Sequence, residues 1–229
     1  MLRDPGPWRA VPIEPVVEPL VEVADIGGAV RDDPRYHAMG LPGARATNSL
    51  RQGVADRLAL VAGGLPDGVT LIVWDGWRAF ATQRALYDDW AWRLRHAHPD
   101  WSADVVDRET ARYVSVPSAD PACPAPHITG GAVDLTLGDG DGRPLDLGTA
   151  FDAFVPQAGA LALEAVPGNP RDLRRLLFWA MADQGFTAYV EEWWHFDFGD
   201  QFWGSITGQP ARYGPVDPTQ SAGRPVGGR

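Results

Sequence analysis

The segment AVDLTL at 132–137 constrains the fold most, because large aliphatic residues alternate strictly with small or polar ones. One side of an extended chain would carry three aliphatic residues, and the other side would carry Asp134 between Ala132 and Thr136. A period of two predicts a β-strand with one packed face and one face that bears an acid. The Gly-Gly pair at 130–131 predicts a tight turn immediately before this strand.

Further strands are predicted on both sides of this segment. The run LIVWD at 71–75 is short, apolar and rich in β-branched residues, which is typical of a buried strand. The turn GDGDGR at 138–143 suggests a hairpin that leads into PLDLG. The run FTAYV at 186–190 predicts a last strand, which we expect to continue into EEWWHF.

Three segments have the apolar spacing of helices. Helices are predicted from Ser49 to Ala62, from Ala81 to His96, and over 170–184. For the third helix, Asn169 is the expected N-cap and Gly185 the expected stop. Helices mixed with short strands and an antiparallel hairpin predict an α+β fold, in which a small antiparallel sheet is flanked by helices.

Length and composition suggest how the chain is organised. The 229 residues favour one domain over two. Residues 1–20 are rich in proline, and residues 208–229 lack apolar periodicity. We therefore predict a mobile N-terminal segment over 1–20, a single folded domain over 21–207 and a disordered tail over 208–229.

Charge and hydropathy patterning exclude several classes of partner. The formal net charge of −10 argues against nucleic acid, because phosphate binding requires clustered Lys and Arg. No apolar run is long enough to predict a membrane span. The first twenty residues contain prolines and acids where a secretory signal has an unbroken apolar segment, so we expect a cytoplasmic protein.

His127 and Asp134 are the first residues that suggest chemistry. A Gly-Gly turn between them would bring the imidazole back toward the carboxylate on the polar face of the strand. Two histidines and a carboxylate, with a fourth position left to water, form a catalytic zinc set. The alternative is a histidine that is fixed in the turn by a hydrogen bond.

The sequence Glu192-Trp-Trp-His195 raises a problem of side-chain direction. Residues three apart on a regular strand point to opposite faces. If His195 is a metal ligand, a bend at Trp193-Trp194 is required for Glu192 to face the same cavity. Period two selects Glu191 or Asp197 as the neighbour of His195 instead, so the periodicity leaves both arrangements open.

Arg78 follows the strand at 71–75 within the sequence WDGWRAF. One interpretation is that Arg78 only forms an ion pair with Asp75. Placed at a metal site, it would supply a fixed cation for an oxygen that becomes negative when water attacks an amide.

Four motifs together resemble a known family. The segments WDGWR at 74–78, HITGGAVDLTL at 127–137, FDAF at 151–154 and GFTAYVEEWWHF at 185–196 look like those of the vancomycin-resistance D-alanyl-D-alanine dipeptidases, within the zinc D-Ala-D-Ala peptidase superfamily. The similarity runs in order from about residue 45 to about residue 200.

The resemblance implies a role for each matching position. His127, Asp134 and His195 would be the ligands of one zinc ion, Glu192 the general base, and Arg78 the residue that stabilises the tetrahedral intermediate. The other two positions concern the substrate. Asp152 would receive its free ammonium group, and we expect Trp77 to line its pocket.

Two segments depart from the family pattern. Ala125-Pro126 stands where the dipeptidases have two serines before the first histidine, and the Arg35–Gly40 region also differs. His37 in that region either lines the pocket or lies on a surface loop.

We therefore predict a zinc-dependent dipeptidase acting on D-Ala-D-Ala or a related small dipeptide. The alternatives are a peptidoglycan carboxypeptidase or endopeptidase of the same superfamily, an enzyme of a peptide-antibiotic pathway, and a zinc-stabilised binding module without activity.

Overall fold

The computed structural model describes residues 6–218, and its fold is α+β. The helices are α1 (Arg35–Ala38), α2 (Gln52–Gly63), α3 (Phe80–Ala97), α4 (Ala103–Tyr113), α5 (Asn169–Asp183) and α6 (Gln201–Thr207). The strands are β1 (Leu20–Glu22), β2 (Val30–Asp32), β3 (Ser49–Arg51), β4 (Thr70–Asp75), β5 (Ala132–Gly138), β6 (Thr187–Ala188) and β7 (His195–Asp197). None of the described helices is both long and apolar enough to cross a membrane.

Five of these strands form one sheet in the order β2-β4-β5-β7-β6. The pair β2 and β4 is parallel, whereas the other neighbours are antiparallel. The sheet is therefore mixed, and its antiparallel part, β4-β5-β7-β6, is the small antiparallel sheet that the sequence predicts. Strands β1 and β3 form a separate antiparallel pair.

The core lies between the sheet and two helices. Every residue of the central strands β4 and β5 is buried. The aliphatic face of β5, which carries Val133, Leu135 and Leu137, shares one core cluster with residues of α2 and α5. This packing leaves the opposite face of β5, with Asp134, to the functional site.

The predicted elements are present with shifted boundaries. The strands at 71–75 and 132–137 and the helix at 81–96 are confirmed. The first predicted helix begins only at Gln52, because Ser49–Arg51 pairs with Leu20–Glu22 as a strand. The predicted hairpin after 138–143 is reduced to one bridge between Gly138 and Pro144.

The start of the last predicted helix was placed one residue too late. Gly168 is the N-cap of α5, so Asn169 is already helical. The helix ends near Gly185 as predicted, and this glycine has a φ of 83°, a conformation that L side chains rarely adopt. Helices α1, α4 and α6 and strands β1 and β2 were not predicted.

The chain does not run as one strand into the Glu-Trp-Trp-His motif. Strand β6 ends at Ala188, and the chain turns at Trp193-Trp194 before β7 begins at His195. Within this turn, the amide of Trp193 donates to Ala158 O at 3.0 Å, and the carbonyl of Trp194 accepts from Leu135 N at 3.1 Å. The bend that a shared cavity requires is therefore present.

The described parts of the two terminal segments pack against each other. Ile13 and Ala211 form a parallel bridge, and the amide of Glu14 donates to Ala211 O at 2.8 Å. Val16 N donates similarly to Arg212 O at 2.9 Å. Residues 1–5 and 219–229, which belong to the predicted mobile segment and tail, lie outside the described residues. The division into a domain with mobile ends stays a prediction.

Arg174 on α5 fixes the long loop that precedes this helix. Its buried guanidinium donates to three carbonyls, those of Leu147 at 2.7 Å, Gly159 at 2.9 Å and Gln157 at 3.0 Å. The same loop carries Asp152. Because backbone carbonyls inside a protein require partners, Arg174 holds both ends of this loop.

We expect Arg174→Ala to destabilise the protein by roughly 2–4 kcal/mol, because three buried carbonyls would lose a charged donor. Denaturant unfolding measures this difference. The matched control is Arg175→Ala, since Arg175 is exposed and pairs only with Glu164. Equal effects of the two substitutions would show that the carbonyl contacts of Arg174 are unimportant.

Candidate active site

Three neighbouring strands place charged side chains in one row across the sheet. Asp75 at the end of β4 lies opposite Asp134 of β5, which in turn lies opposite His195 of β7. An irregularity between Val73 and Asp75 shifts the register of β4 at this point. Because directly opposite residues share a face, all three side chains meet on the polar side of the sheet.

His127 reaches this row from a short 3₁₀ turn over Pro126–Thr129. The following Gly130 has a φ of 73°, and a Cβ at Gly131 would approach Phe198 O to 2.7 Å. The Gly-Gly pair therefore lets the backbone turn sharply and pack closely against the end of β7. This turn returns the imidazole toward Asp134, as the sequence predicted.

His127, Asp134 and His195 form a compact group of possible metal ligands. One donor atom from each lies within 4.8 Å of the other two, and all three residues are buried. Two imidazole nitrogens and one carboxylate oxygen are a donor set that suits zinc. The residues present therefore fit a bound zinc ion.

Hydrogen bonds fix the direction in which both imidazoles face. His127 Nδ1 donates to Gly76 O at 2.8 Å, which leaves Nε2 facing Asp134 Oδ2 at 3.4 Å. His195 Nε2 donates to Asp197 Oδ1 at 3.0 Å, which leaves Nδ1 at 2.9 Å from Asp134 Oδ1. Such outer contacts orient ligands and strengthen their basicity.

The two imidazoles differ in their electrostatic surroundings. Burial lowers the pKa of His127 well below its usual range, and the nearby guanidinium of Arg78 lowers it further. Burial also acts to lower the pKa of His195, but Asp197 and Asp134 outweigh it and raise that pKa well above the usual range. The neutral imidazole of His127 is the form that binds a metal.

Arg78 lies between two buried carboxylates. Its Nε donates to Asp75 Oδ2 at 2.9 Å, and its Nη2 donates to Asp134 Oδ2 at 3.2 Å. A third contact runs from Nη1 to Gln83 Oε1 at 2.8 Å. The pairing with Asp75 and a position at the site, which the sequence left as alternatives, therefore occur together.

Asp152 is held in the same cavity by Tyr36. The tyrosine hydroxyl donates to Asp152 Oδ1 at 3.2 Å and accepts from Arg78 Nη2 at 3.4 Å. Within residues 6–218, Asp152 is the one residue other than glycine with a positive φ, 55°. Burial and the neighbouring charge of Asp134 raise the pKa of Asp152 to about 7.

Glu192 faces this cavity from the turn before β7. Its side chain is buried, and no described residue forms a hydrogen bond with its carboxyl group. Burial raises the pKa of Glu192 well above its usual range, and the charge of Asp134 adds to this effect although His195 opposes it. A carboxyl group with a raised pKa and no fixed partner is suited to proton transfer.

Most of these groups line one cavity of about 410 Å³. Its walls include the six sequence-predicted residues Arg78, His127, Asp134, Asp152, Glu192 and His195. A volume in this range is typical of small-molecule sites.

Two residues considered from the sequence lie elsewhere. The indole of Trp77 donates to Val216 O at 2.9 Å and lines a separate small recess, so the structure places it outside the cavity. His37 is exposed and borders the same recess. The surface alternative is therefore the one that the structure shows for His37.

Sequence reasoning missed Tyr36 and Gln83, which both line the cavity and contact Arg78. Tyr36 stands next to His37, yet no local pattern distinguishes it. Gln83 lies on the buried face of α3. Asp197, by contrast, was one of the two neighbours of His195 that period two predicted.

Three possible ligands beside a carboxyl group and a fixed guanidinium are typical of a metal-dependent hydrolase. Sequence comparison specifies the class. The family described as D-ala-D-ala dipeptidase matches residues 49–213, which is more than half of the chain. The chain therefore belongs to this family of zinc metallopeptidases.

Two relatives found by sequence agree with this assignment. A D-alanyl-D-alanine dipeptidase of Synechocystis sp. is 29% identical over 86% of this chain and 88% of its own length. The Escherichia coli D-alanyl-D-alanine dipeptidase is 31% identical over 57% of this chain and 55% of its own. Among solved structures, VanYB in complex with D-Alanine-D-Alanine aligns with a TM-score of 0.45 and 16% identity, over 75% of this chain and 84% of VanYB.

We expect Asp197→Asn to lower the affinity for zinc by about 10- to 100-fold, because His195 would lose the carboxylate that orients it. Competition with a chromogenic chelator measures this affinity. Asp141→Asn, an exposed change remote from the site, is the control. An unchanged affinity in Asp197→Asn would contradict the orienting role.

Proposed function

We propose that the protein is a zinc-dependent dipeptidase that hydrolyses D-Ala-D-Ala or a related small dipeptide in the cytoplasm. The observation that carries this proposal is that Glu192 and Arg78 face the same cavity as the three possible ligands. A zinc ion that only stabilises a fold requires neither residue, and a fourth protein ligand normally completes its coordination.

His127, Asp134 and His195 would hold the zinc ion. When bound there, zinc supplies Lewis acidity and lowers the pKa of water.

Glu192 moves the proton in this mechanism. Its carboxylate accepts a proton from the attacking water and then delivers it to the amine that leaves. The raised pKa of Glu192 supports this role, because a general base works best when its pKa lies near the working pH. Its freedom from hydrogen bonds to other described residues keeps both oxygens available for the two transfers.

Arg78 stabilises the oxygen that becomes negative when the peptide carbonyl is attacked. Burial acts to lower the pKa of Arg78, but Asp75 and its other neighbours raise it, so the guanidinium remains charged. Its contacts with Asp75 and Gln83 fix its position before the substrate arrives. A donor that is already oriented stabilises charge without the cost of reorganisation.

Asp152 receives the free ammonium group of the dipeptide. A cation beside it would favour its ionised form, although its pKa is about 7 in the cavity as described. Tyr36 holds the carboxylate at this position through its hydroxyl group.

A panel of D,D, L,D and L,L dipeptides tests the proposal, with products separated by liquid chromatography. We expect cleavage of D-Ala-D-Ala and much weaker cleavage of its N-acetyl derivative, because acetylation removes the charge that pairs with Asp152. Peptides that end in D-Ala-D-Ala test the wall-peptidase alternative. If the zinc-loaded protein cleaves no dipeptide, the proposed activity is wrong.

Glu192→Gln should lower kcat by at least about 100-fold, because the amide accepts no proton at working pH. Zinc content should remain at one ion per chain, since Glu192 is not a proposed ligand. Steady-state kinetics and metal analysis of the same preparation separate these effects. Glu164→Gln, at a surface ion pair with Arg175, is the control. Retained turnover in Glu192→Gln would refute the general-base role.

A further inference from the structure

Three arginines line the cavity, and they differ in how their charge is matched. Arg78 lies between Asp75 and Asp134, and Arg112 donates to Glu191 Oε2 at 2.8 Å. Arg9 has no carboxylate within 4.0 Å among the described residues. It is therefore the cavity arginine whose charge no described acid matches.

Arg9 nevertheless has a defined position. Its guanidinium lies 4.6 Å from the ring centre of Trp8, and its Nη2 donates to Val116 O at 3.4 Å. The ring of Trp8 packs in turn against that of Phe202, with centres 5.5 Å apart. Both aromatic residues line the cavity, so Arg9 is supported at its wall.

Hydrogen bonds from Gln201 hold the backbone around Arg9 in place. The buried carboxamide of this residue donates to Arg9 O at 3.2 Å, Val11 O at 2.7 Å and Ala122 O at 3.0 Å. One side chain thereby ties the N-terminal segment to helix α6 and to the loop before His127. The segment precedes residues 49–213, which match the family, whereas Phe202 and Gln201 lie within them.

A continuous series of contacts connects Asp152 to Arg9, and Arg78 lies in the middle of this series. Tyr36 links Asp152 to Arg78 through its hydroxyl group. On the other side, Gln83 accepts from Arg78 and donates through Nε2 to Ser115 O at 2.7 Å. Ser115 is followed by Val116, whose carbonyl accepts from Arg9. An acid and an unmatched cation thus stand at opposite ends of this series.

A dipeptide in its zwitterionic form has the complementary order of charges. Its ammonium group, its peptide carbonyl and its carboxylate follow one another along the molecule. With the ammonium group at Asp152 and the carbonyl at Arg78, this order of charges would direct the carboxylate away from Asp152 and toward Arg9, which lines the same cavity. Ala125 and Pro126, which precede His127, offer no side-chain donor for it.

We propose that Arg9 binds the free C-terminal carboxylate of the substrate and so restricts the enzyme to peptides that end at this position. Guanidinium groups bind carboxylates strongly because both are charged and their geometries match. This assignment rests on the proposed dipeptidase function and extends it to the carboxyl end of the substrate.

The test compares D-Ala-D-Ala with its C-terminal amide, which lacks the negative charge. Calorimetry on zinc-loaded Glu192→Gln protein measures binding without turnover. We expect the additional change Arg9→Gln to weaken binding of the acid about tenfold and to leave binding of the amide unchanged. Arg9→Lys should retain part of the preference for the acid, because it keeps the charge.

Arg57→Gln is the matched control. Arg57 also stacks on an aromatic ring, 3.8 Å above Phe198, and also donates to one carbonyl, that of Gly53 at 2.7 Å, but it does not line the cavity. This change should leave the preference for the acid intact. If Arg9→Gln weakens both ligands equally, or neither, the proposed contact is wrong.

Turnover separates this inference from the proposed function. In protein that retains Glu192, Arg9→Gln should raise KM for D-Ala-D-Ala about tenfold and change kcat by less than about twofold, because the carboxylate contact is present before and during the reaction. Turnover that is equal in all Arg9 variants would overturn the role of Arg9 and leave the dipeptidase standing. If the protein instead shows no turnover but prefers the acid only when Arg9 is present, the role of Arg9 would stand and the dipeptidase function would be wrong.

Discussion

The site depends first on the ion pairs of Arg78 with Asp75 and Asp134. Burying two carboxylates side by side is costly, and one guanidinium that touches both offsets much of that cost. The sheet register brings these acids together. A Cβ at Gly76 would meet Ser49 O at 2.6 Å, so glycine lets the chain pass close to β3 between Asp75 and Arg78. The same contacts that balance the charge also hold the guanidinium at the cavity, where the proposed mechanism requires a fixed cation.

Local periodicity predicted much of the fold and several site positions. Alternation along 132–137 placed Asp134 on the face that is free of the aliphatic core, and the glycines before it predicted the turn that returns His127. Period two also selected Asp197 as a neighbour of His195. These features depend on residues close in sequence, so a pattern of a few residues contains the information.

What the sequence did not reveal depends on distant contacts. Tyr36, Gln83 and the segment around Arg9 reach the cavity through tertiary packing that no local pattern records. For Trp77, closeness in sequence to Arg78 suggested a place in the cavity. A distant contact decides otherwise, because the indole turns away and donates to Val216 O at 2.9 Å. The predicted helix over Ser49 to Ala62 failed similarly at its start, because its first three residues pair with a strand 27 to 31 positions earlier.

The contact between Arg9 and Gln201 spans 192 positions of the chain. A growing polypeptide therefore cannot complete this wall of the cavity until α6 has been synthesised, when most of the sheet already has its partners. Contacts of such high sequence separation form late and slowly, because the intervening chain must first be ordered. A nascent chain would accordingly lack this wall of the cavity until α6 has been synthesised, and the same helix then adds Trp203 to the core.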